Sequence, residues 1–229
     1  AAAVQPDGRA NPNQTLAVLE NKAGLERLLD SLLTAHLEAF GGVDDLLVGL
    51  QLTHSGRFSR PNSKQLEPRI AYHHPLLDEK FGIDPSDDSV VWTDDDLERL
   101  IDTYVVAAGL ARDVGYQFVD IKCCHGYLLH EFLSARTRPG RFGGNLDGRT
   151  RLLFAIIGRV REAYPDLGVL VRVSIFDTLP FKTSREVGQP MEYQQLLPYQ
   201  FGFGAKADDP RQIDLSEGIE LLKRLKAAG

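Results

Sequence analysis

Apolar positions along this chain alternate between short unbroken runs and longer stretches with helical spacing. Leu46 to Leu52 (LLVGLQL), Gln117 to Lys122 (QFVDIK) and Val169 to Ser174 (VLVRVS) are short runs of the kind that form buried strands. Between the first two, Thr93 can cap a helix, and Asp94, Asp95 and Asp96 suit its positive end. Leu97, Leu100, Ile101, Tyr104 and Val105 then make one apolar stripe. Asp147 opens a second such helix through Leu152, Leu153, Ile156, Ile157 and Val160. Ser216 opens a third through Ile219, Leu221, Leu222 and Leu225, and an earlier helix around Leu25 to Phe40 precedes the first strand. Strands alternating with helices predict an α/β fold on a parallel sheet, either open and doubly wound or a (β/α)8 barrel. Three clear βα units are present, with room for a strand remnant at the N-terminus, where a closed barrel has eight. No low-complexity linker divides the chain, so residues 1–229 are expected to form one domain.

The connections after the strands are long: roughly forty residues, about twenty-five, and about forty. Loops of that length are uncommon unless functional, and they follow strand C-termini, where barrel enzymes build their active sites. Composition narrows the field further. With 43% hydrophobic and 25% charged residues, the chain is neither disordered, collagen-like nor a coiled coil. A net charge of −6 gives no basic footprint for nucleic acid or an anionic membrane. No apolar run approaches the roughly 20 residues of a membrane helix, and the opening residues do not read as a signal peptide. The two cysteines, Cys123 and Cys124, are adjacent and close no useful loop, and no Cys/His set has zinc-ligand spacing. A reduced, cytoplasmic compartment and no metal site are therefore expected.

Candidate chemistry gathers at the strand ends. The first strand runs out as Gln51-Leu52-Thr53-His54-Ser55-Gly56-Arg57. The second continues from Asp120-Ile121-Lys122-Cys123-Cys124 into His125-Gly126-Tyr127-Leu128-Leu129-His130-Glu131-Phe132-Leu133-Ser134. Phe142-Gly143-Gly144-Asn145-Leu146 then precedes Arg149 and Arg151 at a helix start. The third strand carries Val171-Arg172-Val173-Ser174. Read as residues alone, Gln51 either caps a layer inside the barrel or offers an amide, donor and acceptor together, to a ligand. Arg172 in an apolar strand needs an anion or acceptor to meet it, a structural salt bridge being the plain alternative. Lys122, His125 and Tyr127, spaced i, i+3, i+5, form a candidate substrate site, although Tyr127 reads equally as a packed aromatic. His54 and His130 read as packing or hydrogen-bonding residues, His73 and His74 as solvated loop residues, and His36 as part of a surface helix. Gly143, Gly144 and Arg149 shape the approach to the next helix and do not read as a phosphate loop. Cys123 and Cys124 read as small buried residues, with a thiol beside Lys122 open to a lowered pKa.

In this order and spacing the set resembles the old yellow enzyme family of FMN-dependent NAD(P)H oxidoreductases. The resemblance spans nearly the whole chain, and the HGYLLHEFLS run followed by FGGNL is its specific part. It implies a partial (β/α)8 TIM barrel: about strands 3 to 5 with their helices and long loops, taken from the middle of a complete barrel. Ala1 to Arg9 is similar to the end of the family's second strand and the loop after it, and Gly229 falls just before the expected sixth strand. Such a piece leaves two open edges and an unfilled interior, and alone it is expected to be poorly soluble or molten. The resemblance further implies FMN as cofactor and NAD(P)H as reductant. Gln51 would meet the flavin pyrimidine edge, Arg172 would stand beside N1 and O2, and Ala1 joins them in the cofactor-binding set. Lys122 and His125 would hold the oxygen of a small molecule with an activated double bond. Tyr127 would donate the proton as hydride from flavin N5 reaches the alkene. Lys122 departs from the family's usual histidine: it is a flexible point charge that either clamps a more anionic substrate or turns away to an acid. Two alternatives stay open. One is a dienoyl-CoA reductase or amine-dehydrogenase-like enzyme whose 4Fe-4S cluster would be bound beyond Gly229. The other is a non-catalytic truncated barrel that binds no flavin. Neither nucleic acid nor membrane is an expected partner, and a homo-oligomeric parent is left open.

Overall fold

Every predicted strand forms, with its ends shifted by the ladder that pairs it. The computed structural model describes residues 1–229. A two-residue strand β1 (Ala2–Ala3) leads to helix α1 (Lys22–Phe40), then to β2 (Gly49–Thr53), α2 (Pro75–Phe81) and α3 (Asp94–Val114). Strand β3 (Phe118–Cys123) is followed by α4 (Leu128–Leu133), α5 (Leu146–Ala163) and β4 (Gly168–Val173). The hairpin strands β5 (Phe181–Lys182) and β6 (Gln189–Pro190) precede the last helix, α6 (Ser216–Ala227). β1 to β4 make one parallel sheet in the order 1-2-3-4, while β5 and β6 pair antiparallel apart from it. No helix is long and apolar enough to cross a membrane.

Local chemistry explains the helix ends. Thr93 and Asp96 form a full capping box, Thr93 Oγ1 accepting from the Asp96 amide and the Asp96 carboxylate accepting from that of Thr93. α5 starts earlier than Asp147, because the Asn145 side chain caps it by accepting from the Gly148 amide at 2.9 Å. Leu46 to Val48 lie outside β2, whose ladder with β3 begins at Gly49–Phe118.

The sheet has two unlike faces. Leu50, Leu52, Val119 and Ile121 are buried, continuous with Leu100, Tyr104, Ile156 and Val160 of α3 and α5 in a single apolar core. The opposite face carries three aligned rows: Gly49–Phe118–Gly168, then Gln51–Asp120–Leu170, then Lys122–Arg172. In the first row the Phe118 ring lies where a Gly49 side chain would go; a Cβ there would stand 2.2 Å from it. In the second row Leu170 is 47% exposed, so this face is open. α6 is likewise only partly covered: of its predicted stripe only Leu221 is fully buried, and Ile219 and Leu222 stay exposed.

The long connections are not bare loops. α2, α4 and the β5–β6 hairpin lie within them, and every residue of α4 is buried.

Candidate active site

Lys122 and Arg172 are register neighbours at the C-terminal ends of β3 and β4. Arg172 is exposed and makes no ion pair or side-chain hydrogen bond, contrary to the expectation that a strand arginine here would be buried and met. The cause is the open face: with no layer above it, its guanidinium stays in water. Lys122 is 9% exposed, and its Nζ sits 3.6 Å from the centroid of the Tyr127 ring, a cation–π contact. It has turned to an aromatic face and not to a carboxylate. Burial holds its ammonium below the usual lysine range; the Cys124 thiol opposes this and the Arg172 charge adds to it.

Gln51 donates from Nε2 to Asp120 Oδ2 at 2.6 Å, across one rung of the ladder, which leaves its carbonyl oxygen without a protein donor. Ala1 is exposed beside β1, and its carbonyl accepts from the Gln14 side-chain amide at 2.9 Å. His125, on the turn after β3, is exposed, with partial burial and the charges of Lys122 and Arg172 holding its imidazole below the ordinary value. Tyr127 is the residue preceding α4, half-buried, with Phe58 6.0 Å away. Beside this turn lies a cavity of about 480 Å³, lined among others by Phe58, Phe81, His125, Phe176, Asp177 and Phe201.

Beneath the turn is a buried ionic cluster. Arg57, 1% exposed, pairs with Asp78 and with Glu131, the latter at 2.6 Å, and donates to the Tyr72 carbonyl at 2.8 Å. Glu131 Oε2 accepts from the Ala71 amide at 3.3 Å, and burial pushes this carboxyl up against the pull of Arg57. One guanidinium thus ties the loop after β2 to α2 and α4, and losing one partner of such a pair would strand a buried charge. Arg149 does similar work, donating to the Leu133 and Gly144 carbonyls and to Glu217.

His73 and His74 are not solvated loop residues. His74 is 4% exposed; its Nδ1 accepts from the Leu77 amide at 3.3 Å as the cap of α2, and its Nε2 lies 3.3 Å from the Tyr199 hydroxyl. Burial, with Arg57 nearby, pushes its pKa down to about 3. His73 Nδ1 is 2.7 Å from Asp78 Oδ2. The unforeseen α2 folds this stretch back over the loop and excludes water from it. Nor is either cysteine thiol activated. Cys123 and Cys124 are buried and burial pushes both up, which Lys122 only partly offsets at Cys124. His54 is buried, accepts from the Gly56 amide at 3.1 Å and packs edge-on to Trp92, a supporting role.

Residues 42–197 match the model of the NADH:flavin oxidoreductase / NADH oxidase family. The chain belongs to that family. Among curated relatives, it is 29% identical over 221 residues to NADH:flavin oxidoreductase FG08077 of Gibberella zeae, covering 86% of this chain and 51% of that one. It is 28% identical over 185 residues to the NADPH dehydrogenase of Bacillus subtilis, covering 77% and 48%. Among solved structures, Old Yellow Enzyme from a Pichia species superposes with a TM-score of 0.65 at 21% identity, over 99% of this chain and 53% of that one. Morphinone reductase does so with a TM-score of 0.57, over 75% and 48%. The chain spans about half the length of the curated relatives it matches.

Within this member of the family the motif residues divide by task. Arg57, His130, Glu131 and Arg149 are spent on scaffolding, while His125 borders the cavity, Arg172 is exposed, Gln51 and Tyr127 are half-buried, and Lys122 is buried against the Tyr127 ring. Asp78, Asp120 and Asp177 were not foreseen. Asp120 carried a signal, a carboxylate inside an apolar strand. Asp78 and Asp177 gained their partners only through the folding of distant connections.

Proposed function

We propose that this chain is the central part of an FMN-dependent NAD(P)H oxidoreductase of ene-reductase type, with β1 to β4 as strands two to five of an eight-stranded barrel. What carries the proposal is the pairing of Lys122 and Arg172 across the ladder, two cations without a carboxylate partner, on the same open face as the Gln51 amide. That donor set suits an isoalloxazine, whose pyrimidine edge offers donors and acceptors and gains negative charge on reduction. Gln51 would hold the edge through its unpaired carbonyl, and Arg172 would stabilise the charge. When bound, FMN supplies two-electron chemistry, accepting hydride from NAD(P)H and returning it to a substrate.

This chain's own residues would do the rest. His125 and Lys122 donate hydrogen bonds to a substrate oxygen on which negative charge develops, and the Tyr127 hydroxyl hands its proton to the neighbouring carbon. Having no acceptor and a fixed charge, Lys122 favours a substrate oxygen more anionic than a ketone's.

The test is flavin retention after mixing with FMN and desalting, followed by visible absorbance. Arg172→Met is expected to weaken binding by about tenfold or more, the worth of one charge-assisted hydrogen bond. Unchanged affinity would refute the assignment. A chain that holds no flavin at all would favour the competing idea of a flavin-free scaffold, which the open inner face also allows.

A further inference from the structure

His125 is the sole non-glycine residue with positive φ, at 61°, and Gly126 follows it at 69°. Glycine adopts that region freely; an imidazole-bearing residue does so only under strain, which its surroundings must offset. The surroundings here are specific. The Gly126 amide donates to His130 Nδ1 at 2.8 Å. A ring nitrogen that accepts carries no proton, so the neutral ring bears its proton on Nε2. That Nε2 makes no aligned hydrogen bond, but it lies 3.3 Å from Asp177 Oδ1, close enough for the carboxylate to favour a proton there. Asp177 is itself pinned: its Oδ2 accepts from the Phe203 amide at 2.9 Å, and its own amide donates to the Phe203 carbonyl at 2.6 Å. His130 is 4% exposed between the two, and His125, His130 and Asp177 all border the same cavity.

We propose that His130, its tautomer set by Asp177, is a positioning residue that holds the His125–Gly126 turn and thereby fixes where the His125 imidazole stands at the cavity mouth. The long excursion after β4 then sets the geometry of the turn after β3, through one buried ring. The catalytic consequence rests on His125 being a substrate donor; the turn itself can be tested without flavin.

The experiment uses the full chain. Histidine-labelled protein should show His130 as the neutral Nε2–H tautomer by ¹⁵N NMR. His130→Leu, which fills the space without an acceptor, should speed exchange of the Gly126 amide about tenfold relative to the Val119 and Ile121 amides of β3, as expected for one lost buried hydrogen bond. His130→Asn, whose carbonyl reaches the place of Nδ1, should restore most of that protection. Asp177→Ala should weaken both the tautomer preference and the protection. A His130 that merely packs predicts the opposite: Gly126 exchange unmoved by His130→Leu, or a ring protonated on Nδ1, and either result would overturn the proposal. If His130→Leu does not fold, the tautomer and the Asp177→Ala exchange rates decide alone. In flavin-loaded protein, His130→Leu should raise KM for the oxidising substrate and leave flavin reduction unchanged. A loosened turn with unchanged KM would leave this inference standing and refute the substrate role of His125.

Discussion

Lys122 stands with Arg172 across the ladder and His125 three residues on, and its close partner is the Tyr127 ring. A cation placed on an aromatic face is held by the ring and not by the hydroxyl, so the two parts of Tyr127 can be tested separately. Tyr127→Phe keeps the ring under the ammonium and removes the proton. Flavin reduction by NAD(P)H should then stay within about twofold, while transfer to the alkene slows by roughly 10²–10⁴, the usual worth of a general acid. Stopped-flow measurement of the two half-reactions checks this; equal slowing of both would end the proton-donor role. The residue types of this site were legible in the sequence, because a strand-end Lys, His and Tyr at fixed spacing needs no tertiary information. Their company was not. That Gln51 meets Asp120 and that Arg172 meets nothing are outcomes of pairing between segments dozens of residues apart, and that Lys122 meets the Tyr127 ring depends on the shape of the turn between them.

Among the elements, those with local signals were readable. α3 announces itself through Thr93 and Asp96, and its stripe is buried as expected. α2 and α4 did not, since each is short and stabilised by partners distant in sequence, Arg57 serving both. The missed α2 turns His74 from a solvent residue into a buried cap, and this has a pH signature. Unfolded, His74 titrates near 6.5; folded, at about 3. Between those values the unfolded chain binds the proton and the folded chain does not. Its contribution to stability is therefore whole above pH 6.5 and falls with pH by about 1.4 kcal/mol per unit. His54, also lowered by burial, acts in the same direction. His74→Asn keeps a capping oxygen and removes the titration. Its urea midpoints between about pH 4 and 7 should rise less steeply with pH than the parent's, by close to one proton. An unchanged slope would mean that this imidazole is not the group excluded from water.

At the scale of the whole molecule, the two faces of the four-stranded sheet are covered unequally. Its outer face is sealed by α3 and α5, while Leu170 on the inner face and Leu28, Leu32 and Phe40 on α1 remain exposed. Two core-type positions on neighbouring strands therefore differ in what truncation removes. Ile121→Ala empties a fully buried site and should lower unfolding free energy by about 2–5 kcal/mol. Leu170→Ala removes atoms that water already reaches, and its loss should stay under about 1 kcal/mol, within the ordinary range for a surface change. Denaturant titration of both variants at several protein concentrations measures the difference. If Leu170→Ala proves as damaging as Ile121→Ala, and more so as concentration rises, the inner face is covered in solution by a second copy of the chain. The cationic Lys122–Arg172 row argues against that outcome, because a two-fold pairing that brought two such rows together would set like charges face to face, and the Asp120 carboxylate on the same face is already engaged by Gln51. The small cost at Leu170 is accordingly the expected result, with the open row left for an anionic or polar ligand.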